Sequence, residues 1–310
     1  MICEFAIEPE LVATWGKREE YRFFYNAFGI GQPRLLSEFP KIKNWRRRVL
    51  QAAQNLEGID LSRIEALIKI LTDRMIDRSR SYDGTKDWVV NAESEHKRIP
   101  FNGILARDNP SNHPAIIVGD YVGTGIDPRW DLPRALTPKR QAKDLANALK
   151  EMLRNCSEVI FIDPHFGPEN PRHRRPLEAL IKTLLEDRSP ENVPSRIEVQ
   201  TSVKSSENFF IQECNQRLPK LIPIEVSICI VRIKERPGGE KVHQRYILTD
   251  LGGVLIDPGI DDGQPGETYD INLMDRNQFD LRWKQYAGDS PAFDHVGLPV
   301  RIYGIASPQL

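Results

Sequence analysis

Close cysteine pairs, long apolar runs and an excess of charge of either sign are all missing from this 310-residue chain. Its four cysteines, Cys3, Cys156, Cys214 and Cys229, are scattered, which excludes a disulfide framework or a structural zinc site built on closely spaced thiols. Cys229 sits in an apolar run and Cys156 beside one, so buried free thiols are expected. No stretch approaches the roughly 20 apolar residues of a membrane span. The opening residues, MICEFAIEPELVATW, carry acids where a secretory signal carries positive charge. These features predict a soluble, cytoplasmic protein with no membrane insertion. Lys and Arg total 43 against 44 acids, a net charge of −1, so any nucleic-acid footprint must come from local clusters. The glycine-rich patterns GxGxxG and GxxxxGK[ST] are absent, which argues against a nucleotide-driven motor.

What the chain has is enough apolar sequence, 40% of residues, to build a core without covalent staples, and a length that suits two domains of about 100–200 residues each. Residues 1–135 read as a mainly helical domain. Leu61, Ile64, Leu67, Ile68, Leu71 and Met75 recur at helical spacing behind Asp60, a candidate N-cap. Segments 10–28 and 42–57 show weaker versions of the pattern, and 115–122 reads as a strand. A proline- and glycine-rich stretch, 123–138, marks the boundary. Thr137-Pro138 then looks like an N-cap followed by proline at the first helical position, opening a helix with Leu145, Leu149 and Leu153 on its face.

Beyond it the pattern changes to alternating strands and helices, which predicts an α/β architecture for 136–310. The expected strands are 158–164, 196–202, 225–233, 242–250, 252–257 and 300–306; the expected helices are 175–187, 206–218 and about 276–287. The turn Arg236-Pro237-Gly238-Gly239 is expected to join 225–233 and 242–250 as a hairpin.

The segment His243-Gln-Arg245-Tyr-Ile-Leu-Thr-Asp250 closely resembles the phospholipase D superfamily motif, His-x-Lys followed four residues later by Asp, with Arg245 in the lysine position. If 242–250 is one strand, His243 and Arg245 share a face. An imidazole beside a fixed cation suits a phosphodiester: one attacks phosphorus, the other offsets the developing negative charge. Asp250 has the opposite parity, which fits support of the strand. The resemblance implies an α/β/α sandwich over roughly 140–306, a metal-free, cofactor-free mechanism through a phosphohistidine, and His243, Arg245 and Asp250 as the catalytic set. Two such motifs meet at one active site in that family and only one exists here, so a homodimer is implied. The chain departs from the family pattern where Gly-Ser and Asn are usual: Asp257-Pro258 and Asp261 stand there, inside the acidic loop 256–267.

Five further residues are candidates for substrate binding. Asp163 and His165 lie in Phe161-Ile-Asp163-Pro-His165-Phe-Gly167 at a strand's carboxyl end, where α/β proteins place ligands; a plain turn capped by Asp163 is the competing reading. Arg172, Arg174 and Arg175 begin a helix and suit a phosphate chain. Trp45-Arg46-Arg47-Arg48 is a second basic cluster, on an amino-terminal helix. Asp163 with Glu198 and Gln200 faintly resembles a metal-dependent nuclease set, without its lysine, and no metal ligand is assigned. Glu93, Glu95 and His96 fit a solvated helix. The functional expectation is a metal-independent phosphodiesterase, a nuclease above all, with residues 1–135 engaging substrate or a partner protein. The alternative is a non-catalytic phosphate- or nucleic-acid-binding module of a multi-protein, defence-type system.

Overall fold

The computed structural model describes residues 1–119, 122, 127–188, 192–224 and 226–305. Parts of the expected strands 115–122, 225–233 and 300–306, and of the boundary stretch 123–138, lie outside the described residues. The chain divides into two units, Ile2–Pro133 and Arg134–Leu310, against the expected division after residue 135.

The first unit is organised by a sheet that the helical reading missed. Five strands, β1 (Cys3–Ile7), β2 (Arg34–Ser37), β3 (Met75–Ile76), β4 (Gly103–Ala106) and β5 (Ile116–Val118), pair in parallel in the order β3-β2-β1-β4-β5. Between them run α1 (Pro9–Val12), α2 (Arg18–Tyr25), α3 (Ile42–Ala52), α4 (Gly58–Thr72) and α5 (Trp88–Arg98). The strands are two to five residues long and almost wholly buried, so they show no alternation to betray them. One core joins Phe5, Ile7, Leu36 and Leu105 to Trp15, Phe24, Trp45, Val49 and Ile64. A second joins Ala6, Ile104 and Ala106 to Phe39, Trp88 and Ala92. Helices therefore cover the sheet on both sides. Gly103 is required where it stands, because a Cβ there would meet the Phe5 ring at 2.4 Å.

Two local expectations need correction. Asp60 does not cap α4; the helix begins at Gly58 behind Glu57, leaving Asp60 in its first turn, where it pairs with Arg63 at 2.9 Å. Glu95 is not on a solvated face: it is 3% exposed and shares Arg80 and Arg98 as partners.

The second unit is also α/β. Strands β6 (Ala135–Leu136), β7 (Glu158–Ile162), β8 (Arg196–Ser202), β9 (Ser227–Lys234), β10 (Tyr246–Thr249), β11 (Gly252–Asp257), β12 (Asp270–Leu273), β13 (Asp294–His295) and β14 (Val300–Tyr303) form one mixed sheet. Its order is β13-β9-β8-β7-β10-β11-β12-β6, with β14 also on β9. β7, β8 and β9 run parallel, and β10 runs antiparallel to β7. Helices α6 (Ala142–Asn155), α7 (Pro171–Leu185), α8 (Glu207–Arg217) and α9 (Arg276–Tyr286) complete the unit. α6 packs on α7 and α9 against β11. Thr137-Pro138 opens no helix: the chain there leaves β6, and α6 starts four residues later, its Ala142 amide bonded to Asp262 Oδ1 at 2.7 Å.

The expected hairpin between β9 and β10 does not form. The turn is present, with Gly239 N donating to Arg236 O at 2.9 Å, but the chain past it stays irregular through Arg245. It crosses the carboxyl edge of β8 and β7 before entering β10. The reason is burial: all four residues of β10 are buried, which demands neighbours on both sides, and β7 and β11 supply them. The true hairpin lies one strand later, β10 to β11 through Asp250-Leu251, with Gly252 at φ 145°.

Candidate anion-binding site at the carboxyl edge of β7 and β8

Asp163 follows the last residue of β7 and is 3% exposed. Its carboxylate is held by main-chain donors: His165 N to Oδ1 at 2.8 Å and Ile260 N to Oδ2 at 2.8 Å. One buried acid therefore fixes two loops, the one after β7 and the one after β11, at the edge where parallel strands present ligands. The turn reading of Asp163 holds, and the capped turn is what positions His165.

Around that carboxylate stand three nitrogen bases. His165 Nδ1 is in direct contact with Lys204 Nζ, and Arg245 Nε lies 4.0 Å from Asp163 Oδ1. Arg245 Nε is buried without a hydrogen-bond partner. Burial holds the His165 imidazole below its ordinary range, and Lys204 and Arg245 beside it push the same way against Asp163. Burial likewise lowers the Lys204 ammonium, with Asp163 opposing and Arg245 adding to the effect. With Lys204 donating to Nδ1, the proton of the neutral imidazole sits on Nε2. The cluster thus presents an ammonium, a guanidinium and an imidazole N–H, all donors, which is the chemistry of an oxyanion receptor.

Lys204 escaped sequence reasoning. It stands two residues beyond β8, the strand parallel to and paired with β7, so the carboxyl-edge rule that selected Asp163 and His165 would also have selected it.

The sequence-predicted trio does not meet as a set. Arg245 belongs to the cluster. His243 is exposed on the crossing segment, two residues before Arg245, and not on a strand. Asp250 is at the other end of β10, about 17 Å away along five extended residues. There its Oδ1 accepts from Ser157 N at 2.8 Å and Glu158 N at 3.1 Å. Asp250 thus ties the β10–β11 turn to the start of β7, apart from the cluster around Asp163.

The arginines of the α7 start divide as well. Arg172 meets Asp261 at 2.5 Å and Arg175 faces Asp262 at 3.7 Å, while Arg174 keeps a buried Nε without a partner. Asp261 also holds Arg140, and its main-chain carbonyl accepts from Tyr269 Oη at 2.9 Å. Buried His173 accepts from Gly167 N at Nδ1, 3.0 Å, and turns Nε2 toward Asp261 at 3.9 Å. Within the acidic loop, basic residues and the α6 start therefore offset Asp261 and Asp262. By the same token Arg172 and Arg175 are engaged, whereas Lys204 and Arg245 stand beside Asp163.

Two other readings are resolved by geometry. Glu198 accepts from Gln200 at 2.5 Å and from Arg196 at 2.9 Å, and Asp163 is held by main-chain amides, so both carboxylates are already engaged. Cys156 and Cys214 are buried and each thiol is pushed up to about 12 by that burial, which makes both inert at neutral pH; Cys3 and Cys229 are only partly buried. Among the described residues, no helix is long and apolar enough to cross a membrane.

Comparison of the chain with protein-family models, with curated proteins and with solved structures finds no match.

Proposed function

We propose that the carboxyl-terminal unit is a phospholipase-D-like α/β/α sandwich that binds a phosphodiester at the edge of β7 and β8 and hydrolyses it without a metal ion. The observation that carries this reading is the grouping of His165, Lys204 and Arg245 around buried Asp163. Lys204 and Arg245 offset the phosphate charge, and the guanidinium adds planar, paired donors. The His165 Nε2–H bonds a non-bridging or leaving oxygen. His243, on the segment that delivers Arg245, is the nucleophile that the motif resemblance points to; its Nε2 would displace the leaving alkoxide from phosphorus, and water would then release the phosphoryl group from the imidazole. A second copy of the chain supplies the second imidazole, which protonates the leaving oxygen. Nucleic acid is the substrate class that fits a receptor made of cations and a phosphodiester motif.

Hydrolysis of bis(p-nitrophenyl) phosphate, and of single- and double-stranded DNA and RNA, in excess EDTA tests this. Cleavage is expected in wild type and is expected to fall at least 100-fold in His243→Ala and Lys204→Ala. Cleavage that EDTA abolishes would sink the metal-independent reading. A monomer of undiminished activity in sedimentation would sink the dimer.

One observation favours a second reading, a phosphate-binding module without turnover. The only imidazole held in the cluster has its Nδ1 lone pair engaged by Lys204, and His243 is exposed. Filter binding of DNA or RNA that Lys204→Ala weakens, with no product from any substrate, would favour it.

A further inference from the structure

The amino-terminal unit carries a polar cleft of about 650 Å³ that the function above does not use, lined by Glu10, Asn44, Arg47, Arg48, Gln51 and Tyr82 among others. It opens at the carboxyl edge of the parallel sheet. Glu10 stands three residues past β1, Pro40 three past β2, and Tyr82 and Gly84 follow β3. Open α/β sheets usually bind ligands where strand order reverses, here between β1 and β4, but that crevice is closed. Glu8 is buried there and its carboxylate accepts from Arg107 N at 2.6 Å, Nε at 3.0 Å and Nη2 at 2.8 Å. The first βα turn reads Glu8-Pro9-Glu10, with no glycine and no N–H on Pro9, so it cannot cradle phosphate as a dinucleotide fold does. Any ligand of this sheet is displaced toward β2 and β3, to the cleft.

The cleft is ordered from beneath and open in chemistry. Arg48 Nε donates to Glu10 Oε1 at 2.8 Å and its Nη1 donates to the Tyr82 hydroxyl. Burial keeps that hydroxyl above its ordinary range, so its proton remains available to a ligand. Glu10 Oε2 has no partner. Asn44, Arg47, Arg48 and Gln51 repeat at helical spacing along α3, forming one wall. Among the described residues, no side-chain hydrogen bond or ion pair engages Asn44, Arg46, Arg47 or Gln51. Lys43 and Arg46 flank an adjoining hollow that shares Arg47. The lining thus offers one unpaired cation, Arg47, with neutral amides and a phenol as further donors and one acidic acceptor, in a volume suited to a small molecule.

We propose that this cleft binds a phosphomonoester of a polar small molecule, of the nucleoside monophosphate class. Arg47 takes the phosphate, with Tyr82 donating to it. Asn44 and Gln51 read hydrogen-bonding groups of the body, and Glu10 accepts from a hydroxyl or amino group. The assignment is independent of the site in the other unit.

Titration calorimetry of the full chain tests it, with AMP, adenosine and inorganic phosphate as probes. The Lys204→Ala/Arg245→Ala double variant serves as background, so that phosphate held in the other unit is removed. AMP is expected to bind in that background at a single site, at least 10-fold more tightly than adenosine or inorganic phosphate. Arg47→Ala, at an exposed position where folding is unaffected, should weaken AMP at least 10-fold, and Asn44→Ala about 3-fold. AMP binding that is absent in the background, or unchanged by Arg47→Ala, would overturn the proposal. Equal affinity for AMP and inorganic phosphate would overturn the nucleotide assignment.

Discussion

Two parallel-strand edges in this chain each bury a carboxylate, and they use it in opposite ways. At the ends of β1 and β4, Glu8 takes one main-chain bond and two guanidinium bonds from Arg107. Its charge is neutralised within the unit and the crevice is closed. At the end of β7, Asp163 takes its close bonds from the amides of His165 and Ile260. Lys204 and Arg245 gather near that charge without being consumed by it. A carboxylate satisfied by amides orders loops and leaves cations for a ligand, whereas one satisfied by arginine is a plug. The physical distinction is geometric: a main-chain N–H can fill a lone pair but carries no net charge to cancel.

The largest expected effect sharpens that contrast. Asp163→Ala strands the Ile260 and His165 amides, one of them buried, and removes two hydrogen bonds to a charged group, so a loss of about 3 kcal/mol is expected. Glu8→Ala should cost less, about 1–2 kcal/mol, because the half-exposed Arg107 side chain rehydrates. Urea midpoints of the two variants, each read by a probe in its own unit, would break the comparison if Glu8 proved the costlier. Next in size, Lys204→Ala and Arg245→Ala should each weaken a phosphodiester oligonucleotide at least 10-fold, and Lys204→Ala, at an exposed position, should shift stability by about 0.5 kcal/mol or less. Fluorescence anisotropy reads the first quantity and thermal melting the second.

Asp250→Ala should do the reverse, lowering stability by about 1–2 kcal/mol through loss of its bonds to Ser157 and Glu158, with oligonucleotide affinity unchanged. A drop in affinity equal to that of Lys204→Ala would put Asp250 back among the site residues. The smallest effect is in pH dependence. The folded His165 is held below its ordinary range, so the unfolded chain binds its proton first. Its contribution to stability is complete above the ordinary histidine range and is lost as pH falls through the lower folded value. The same protonation adds positive charge beside Lys204, so anion affinity should rise over that interval. In His165→Gln both trends should flatten, which anisotropy and melting recorded from pH 7.5 to 5 would show.

Much of the second unit was legible residue by residue. β8 has the expected bounds, α8 begins behind the cap Ser206 and α9 behind the cap Asp275, because caps and apolar periodicity are local and act within a few residues. The first unit was misread for a physical reason. Its strands are too short and too buried to alternate, while the helices between them display clear faces. Arg245 was found through its motif, but the parity argument assumed a strand from 242 that begins only at Tyr246, so the shared face with His243 does not follow.

By itself the sequence determined the α/β character of residues 136–310 and the carboxyl-edge turn that carries Asp163 and His165. Each depends on residues near one another in the chain. Only the tertiary structure decided that β10 lies between β7 and β11, that the segment from β9 must cross the ends of β8 and β7, and that Lys204 and Arg245 therefore converge on Asp163. Strand order is set by which fully buried strands find partners on both sides. That is a global balance of burial and hydrogen bonding, and no local pattern encodes it.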